Sequence, residues 1–205
     1  MKIKTAVLVS GGGTNLQALM DAAGRGELPS AQLCLVVSNN PGAYALERAK
    51  NAGIDAAVCL RKGRSQREFE TELQEILEKH EIELIVLAGF MAILSKDFVS
   101  QYPERIINVH PSLIPSFCGE GFYGLHVHEA ALKYGVKVTG ATVHFVNEIP
   151  DGGRIIFQKA VEIQDGDTPE VLQRRVMEQA EWILLPRALE KVASERMKER
   201  ASCRI

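Results

Sequence analysis

The chain has 205 residues, 46% hydrophobic and 24% charged, with a formal net charge of -2. That length suffices for one well-buried α/β domain and is short for two. The near-neutral charge and scattered Lys and Arg exclude an electrostatic footprint for nucleic acid, and no apolar run approaches the ~20 residues of a membrane helix.

The start carries no basic segment followed by an apolar core, so a cytoplasmic protein is expected. Cys34, Cys59, Cys118 and Cys203 form no CxxC pair, and two of them sit in apolar runs, the pattern of reduced structural thiols.

In chain order, residues 3–9 read as a buried strand running into Ser10-Gly11-Gly12-Gly13-Thr14-Asn15 and a helix from Leu16. Glycines let backbone N–H groups approach a ligand, Thr14 or Asn15 is placed to cap the helix, and a helix N-terminus favours an anion such as phosphate. Taken alone, such a turn also serves merely to pack a helix on a strand. A dinucleotide fingerprint would want glycine where Leu16 stands and an acidic residue where Ser38-Asn39-Asn40 closes the second strand. No Gly-Lys-Ser/Thr for a nucleoside triphosphate occurs either, so a smaller ligand such as a ribose 5-phosphate fits better.

Residues 33–37 read as a second strand and 43–52 as a helix closed by Gly53. Phe69, Leu73, Ile76 and Leu77 make the apolar stripe of an amphipathic helix, and 84–88 an inner parallel strand. This alternation predicts a doubly wound, Rossmann-like α/β fold, its sheet mostly parallel with helices on both faces. Residues 105–109 read as a further strand, with Asn108 and His110 emerging on one side and Pro111 ending the run. Residues 136–146 and 155–161 look like two strands joined through Asp151-Gly152-Gly153, an antiparallel C-terminal addition. A last helix begins at Thr168-Pro169, Pro186 is expected to kink or divide it, and the charged tail from Glu195 is expected to fray. No internal repeat is visible, and a single domain over 1–205 is expected.

Asn108, His110 and Asp151 supply an amide, an imidazole and a carboxylate, a set suited to moving a proton and an acyl group. Singly they are ordinary: a His-Pro pair is usually a turn, and Asp before Gly-Gly a hairpin residue. His144 is expected to be a satisfied core or rim histidine. His126 and His128 have an i, i+2 spacing open to a metal, but with no third ligand in view no metal is expected.

Five segments in order, Ser-Gly-Gly-Gly-Thr-Asn-Leu-Gln at 10 to 17, Leu-Ala-Gly-Phe-Met at 87 to 91, Asn-Val-His-Pro-Ser-Leu-Ile-Pro at 108 to 115, Thr-Val-His-Phe-Val at 142 to 146 and Asp151-Gly152-Gly153, span most of the chain. Together they closely resemble the phosphoribosylglycinamide formyltransferases, folate-dependent enzymes of purine synthesis. The resemblance implies transfer of a formyl group from 10-formyltetrahydrofolate to the amine of glycinamide ribonucleotide, with no metal and no covalent enzyme intermediate. It implies that Asn108 bonds the formyl oxygen, His110 transfers protons and Asp151 pairs with His110, whose pKa a nearby carboxylate raises. It puts Gly13, Thr14 and Asn15 on the nucleotide phosphate and Glu181 near the ribose hydroxyls. For the folate it implies Arg67, the segment Phe90, Met91, Ala92, Ile93 and Leu94, and backbone of Asn147, Glu148, Ile149 and Pro150 up to Asp151. Glu181 and Arg67 also read as exposed helix charges, and Met91 and Leu94 as core. On this scheme residues 1–100 form the nucleotide-phosphate side and 101–190 the catalytic and folate side, in a monomer or homodimer.

The chain departs from the family pattern at Ala92, where many members carry arginine, at Arg154, where many carry proline, and in a longer loop at 116–123. That loop reads equally as a flap over the cleft or a neutral insertion. Methionyl-tRNA formyltransferases and formyltetrahydrofolate hydrolases share the formyl-binding core but normally carry a further domain, and the phosphate-type loop favours a nucleotide acceptor over tRNA or water. A silent folate- or nucleotide-binding regulator would not need Asn108, His110 and Asp151 together.

Overall fold

The computed structural model describes residues 1–202, so Cys203 lies outside the described residues. Its strands are β1 (Ile3–Val9), β2 (Ala31–Ser38), β3 (Asp55–Val58), β4 (Leu84–Leu87), β5 (Ile106–His110), β6 (Val138–Phe145) and β7 (Ile155–Glu162). The helices are α1 (Thr14–Gly24), α2 (Tyr44–Asn51), α3 (Gln66–Lys79), α4 (Lys96–Ser100), α5 (Leu125–Tyr134), α6 (Pro169–Val176) and α7 (Trp182–Ser202), with a π-helical turn Met177–Glu181 joining the last two.

All seven strands form one sheet, in the order β3-β2-β1-β4-β5-β6-β7. β1 to β5 run parallel, and β6 and β7 are antiparallel additions. β1 and β4 are apolar at nearly every position because both faces are covered. On one face Val7, Val9, Val86 and Ile107 pack with Leu16, Leu19, Leu185 and Leu189 from α1 and α7. On the other, Ala6, Leu8, Ile85 and Leu87 pack with Phe69, Leu73 and Leu77 from α3 and with Phe98 from α4. The strand order reverses between β1 and β4, the point where such sheets open a crevice at their C-terminal ends. There the two following loops are tied together: Ser10 N–H donates to the Gly89 carbonyl at 3.1 Å, and Met91 N–H to Ser10 Oγ at 2.8 Å.

Three elements lacked a readable signal: β3 is four residues long, α4 five, and α5 has Gly124 as its N-cap, with no side-chain cap. Two expectations are corrected. The last helix is not divided at Pro186, which lies inside α7; the departure from regular α-helix falls upstream, at the π-helical turn Met177–Glu181. The tail does not fray at Glu195: α7 runs on to Ser202, with Lys191 paired to Glu195 and Arg200 to Glu83.

The β6–β7 connection explains its two glycines by crowding. A Cβ on Gly152 would stand 2.7 Å from the Ile149 side chain, and one on Gly153 only 1.7 Å from the Phe145 carbonyl oxygen. Arg154 follows, donating to Glu104 Oε1 at 2.8 Å with its guanidinium 4.5 Å from the Phe145 ring centroid. Because the obstacle at Gly153 is backbone, Gly153→Ala is expected to cost about 2–3 kcal/mol, since overpacked sites cannot relax. Urea unfolding of the variant checks this, and an unchanged midpoint would contradict it.

Candidate active site

The first part of the site is the loop after β1. Gly13 takes φ 71 and is itself the N-cap of α1, so neither Thr14 nor Asn15 caps the helix as expected. The first-turn N–H groups are thereby left to an external acceptor. A Cβ on Gly13 would meet Ala45 Cβ at 2.7 Å, and Arg48 braces the loop by donating from Nε to the Gly12 carbonyl at 2.8 Å.

The Asn15 side chain is buried and turned inward, its Nδ2 donating to Glu181 Oε2 at 2.7 Å while its Oδ1 has no partner. Glu181 is the last residue of the π-helical turn and is 6% exposed, not a solvated helix charge. Burial pushes its carboxyl up to about 7, against the smaller opposing effect of the Asn15 amide.

The second part is a cleft of about 140 Å³ walled by Phe90, Ala92, Ile93, Leu94, Asn147, Glu148, Ile149 and Pro150, with Asn108, His144 and Asp151 at its polar end. A larger groove of about 600 Å³ along α3 is open and lined by charges, Arg67 among them. Arg67 and Met91 thus lie outside the walls of the cleft, Met91 half exposed with its backbone tied to Ser10. The far rim is anchored from α3: Gln66 donates to the Ile93 carbonyl at 2.9 Å, and Glu70 accepts Ser95 Oγ–H at 2.6 Å.

His110 ends β5 and is 4% exposed. Its Nδ1 lies 3.4 Å from Asp151 Oδ2, and its Nε2 donates to the Phe117 carbonyl at 2.9 Å. Both partners hold positive φ, 55° at Asp151 and 48° at Phe117. Aspartate tolerates that region; a bulky aromatic does so only when its surroundings impose it. The loop at 116–123 therefore lies against the site: Ser112 Oγ–H donates to the Ser116 carbonyl at 2.6 Å and Gly119 N–H to Asp151 Oδ2 at 2.9 Å. The Phe117 ring packs edge-on with Phe122 and Tyr134.

The expected rise in the His110 pKa is corrected. Burial pushes the imidazole below its ordinary value, and the opposing pull of Asp151 and of the Phe117 carbonyl is the smaller effect. Burial also pushes the Asp151 carboxyl up, but His144 and His110 in their cationic forms and the Gly119 N–H outweigh it and hold Asp151 below its usual range.

Two residues carry more than the sequence indicated. His144, 2% exposed, sits opposite Asn108 in the β5–β6 pairing, its Nε2 3.2 Å from Asn108 Nδ2 and 3.5 Å from Asp151 Oδ1. Thr142, opposite His110, donates to the Ser112 carbonyl at 2.7 Å and accepts from Ile114 N–H, fixing the chain just past the histidine. Both lie inside the Thr-Val-His-Phe-Val segment, the one signal that pointed to them. His126 and His128 lie on a helix, where the i, i+2 spacing separates them: His126 is exposed beside Glu129 and His128 fully buried. Cys59 is buried and its thiol pushed up to about 11, while burial and then Asp151 raise the Cys118 thiol, so neither is an activated nucleophile.

Comparison with known proteins gives a consistent picture. Residues 3–189 match the formyl transferase family. The trifunctional purine biosynthetic protein adenosine-3 of Gallus gallus is 47% identical over 194 residues, 94% of this chain but 19% of that protein. The chain thus spans under a fifth of the length of this trifunctional relative. The phosphoribosylglycinamide formyltransferase of Haemophilus influenzae is 43% identical over 177 residues, 86% of this chain and 81% of that protein. Among solved structures, glycinamide ribonucleotide transformylase 1 from Symbiobacterium toebii superposes with a TM-score of 0.88 at 40% identity, covering 95% of this chain and 89% of that one.

His128 yields a stability prediction. Neither ring nitrogen has a partner, and burial, with the charge of nearby His110, pushes its pKa from the ordinary 6.5 down to about 4. The unfolded chain then binds the extra proton, so stability is full above 6.5 and falls as the pH drops toward 4. The loss is roughly 3 kcal/mol at ~1.4 kcal/mol per pH unit. Urea unfolding at pH 7 and 5 is expected to show a weaker acid dependence in His128→Leu than in the parent; equal dependence would contradict the assignment.

Proposed function

The chain belongs to the formyl transferase family, and from that premise we propose that it transfers the formyl group of 10-formyltetrahydrofolate to the amine of glycinamide ribonucleotide. The products are formylglycinamide ribonucleotide and tetrahydrofolate. The observation that carries this is the convergence of Asn108 and Asp151 at the polar end of an apolar cleft with His110 directly behind them. The names of its relatives from Haemophilus influenzae and Symbiobacterium toebii support the acceptor, and no helix among the described residues is long and apolar enough to cross a membrane. A cytoplasmic site of action goes with this function.

The nucleotide phosphate sits on the uncapped N-terminus of α1 at Gly13, Thr14 and Asn15, where orphan N–H donors and the helix dipole favour an anion. Glu181, level with Asn15, accepts the ribose hydroxyls. The pterin end enters between the apolar Phe90–Leu94 segment and the backbone of 147–151. With Ala92 giving the wall no charge, Arg67 on α3 is left to meet the acidic end of the folate from outside the cleft.

The amine attacks the formyl carbon, and Asn108 donates an N–H to the oxygen as it gains charge. His110 then takes the amine proton and returns it to the departing folate nitrogen. With Nε2–H given to Phe117, the neutral ring presents bare Nδ1 to Asp151, so a proton gained there completes the ion pair and stabilises the imidazolium. Low pKa suits the resting ring to acceptance, and lifting the 116–123 loop frees Nε2.

The test is tetrahydrofolate release from 10-formyltetrahydrofolate with and without glycinamide ribonucleotide, alongside detection of formylated product. Release is expected only with the nucleotide, because water lacks the proximity of a bound amine. Equal release in both with free formate would indicate a hydrolase, and none in either a binding module. His110→Ala is expected to lower kcat by about 10²–10⁴-fold with nucleotide affinity nearly intact; a near-normal rate would sink the mechanism.

Glu181 gives a pH prediction in the same direction as His128, read in affinity rather than in stability. Protonated below about 7, it loses one of its acceptor positions, so nucleotide affinity is expected to rise as the pH passes upward through 7. Calorimetric titration at several pH values checks this, and Glu181→Gln is expected to be weak and flat; a parent protein with pH-independent affinity would remove Glu181 from the ribose site.

A further inference from the structure

His144 lies beside Asn108, buried, and no step above uses it. Its Nδ1 is 2.8 Å from the Phe145 carbonyl oxygen. A carbonyl only accepts, so Nδ1 carries the hydrogen, and in the neutral ring Nε2 is then an acceptor. The group 3.2 Å from that Nε2 is the amide nitrogen of Asn108. One of the two Asn108 N–H groups is thereby committed to His144. Both residues line the cleft, so the second N–H is the one left for a ligand oxygen.

The other group near Nε2 is Asp151 Oδ1 at 3.5 Å. That carboxylate already accepts from Gly119 N–H at 2.9 Å and faces His110 Nδ1 at 3.4 Å. A hydrogen on Nε2 would satisfy Asp151 further but would point a donor at the Asn108 amide nitrogen, also a donor. The amide would then have to turn its oxygen toward His144. With Nε2 bare, the reverse flip is the costly one, because it would set two acceptors against each other in a buried place.

We propose that His144 is a positioning residue for formyl transfer: its Nδ1–H tautomer, fixed by the Phe145 carbonyl, locks the Asn108 carboxamide with its nitrogen end toward Nε2 and so presents the second N–H to the formyl oxygen. The proposal rests on the function given above. It adds that the oxyanion donor is oriented before substrate arrives, which is where such a donor gains its advantage over water.

Two readouts test it. In ¹⁵N-labelled parent protein, long-range ¹H–¹⁵N correlation of the His144 ring is expected to show a protonated Nδ1 and a bare Nε2. A protonated Nε2 overturns the proposal whatever the activity. In the formyl-transfer assay, His144→Phe is expected to lower kcat on the order of 10- to 100-fold, less than the about 10²–10³-fold expected for outright loss of an oxyanion donor, with both KM values within about twofold. His144→Gln, whose terminal oxygen can take the place of Nε2 as acceptor, is expected to recover most of that loss. Parent-like kcat in the Phe variant, or a Gln variant no better than Phe, overturns the role. Absence of nucleotide-dependent transfer in the parent protein would instead sink the functional reading, with the ring tautomer still deciding the contact.

Discussion

The pairing of β5 with β6, which sets Asn108 opposite His144 and His110 opposite Thr142, is the constraint on which the cleft depends. Side chains alternate across a sheet, so a slip of one residue would send all four to the opposite face. What prevents the slip is apolar and local to the same pair. Ile107, Val109 and Val143 lie in the packed core on one side, and the polar residues between them have nowhere else to go. The antiparallel addition also lets the 146–154 connection fold back, so that Asp151 reaches His110 and His144 together.

Much of this was legible in the chain. The parallel strands announce themselves as apolar runs because both faces of the sheet are covered, and Asn108 and His110 stand out as polar residues where one such run ends. What was not legible is set by partners distant in sequence. His144 looks like any strand histidine until register puts Asn108 across from it. Glu181 looks like a helix surface charge until the π-helical turn and Asn15, 166 positions away, bury it. The Arg200–Glu83 pair near the end of α7 joins residues far apart in sequence, which no composition of the tail could reveal. The sign of the His110 shift failed for a related reason: a carboxylate neighbour was visible in the sequence, whereas the degree of burial that outweighs it was not.

Two acids in this small site are driven in opposite directions by the groups that face them. Asp151 faces His144, His110 and the Gly119 N–H and stays ionised despite burial. Glu181 has the Asn15 amide and no charge, so desolvation prevails. Such divergence separates a carboxylate suited to holding a cation from one suited to exchanging hydrogen bonds with neutral hydroxyls. Similarly, His110 and His128 are kept neutral by burial, but only His110 has an anion against which a proton can be stabilised.

The π-helical turn leaves its mark on the spacing of the apolar residues. Leu172, Val176, Ala180, Leu184, Ala188 and Val192 are all buried, and each follows the last by four positions. On a straight α-helix of ~3.6 residues per turn, each step of four advances about 40° around the axis, so five such steps would wind the stripe through roughly 200° and off the sheet. A wider turn in the middle holds more residues per revolution and takes back part of that advance. The four-residue recurrence, repeated one position on by Leu185, Leu189 and Ala193, is thus a phase record: the winding is reset once along this length, and the reset falls beside the carboxylate that faces Asn15.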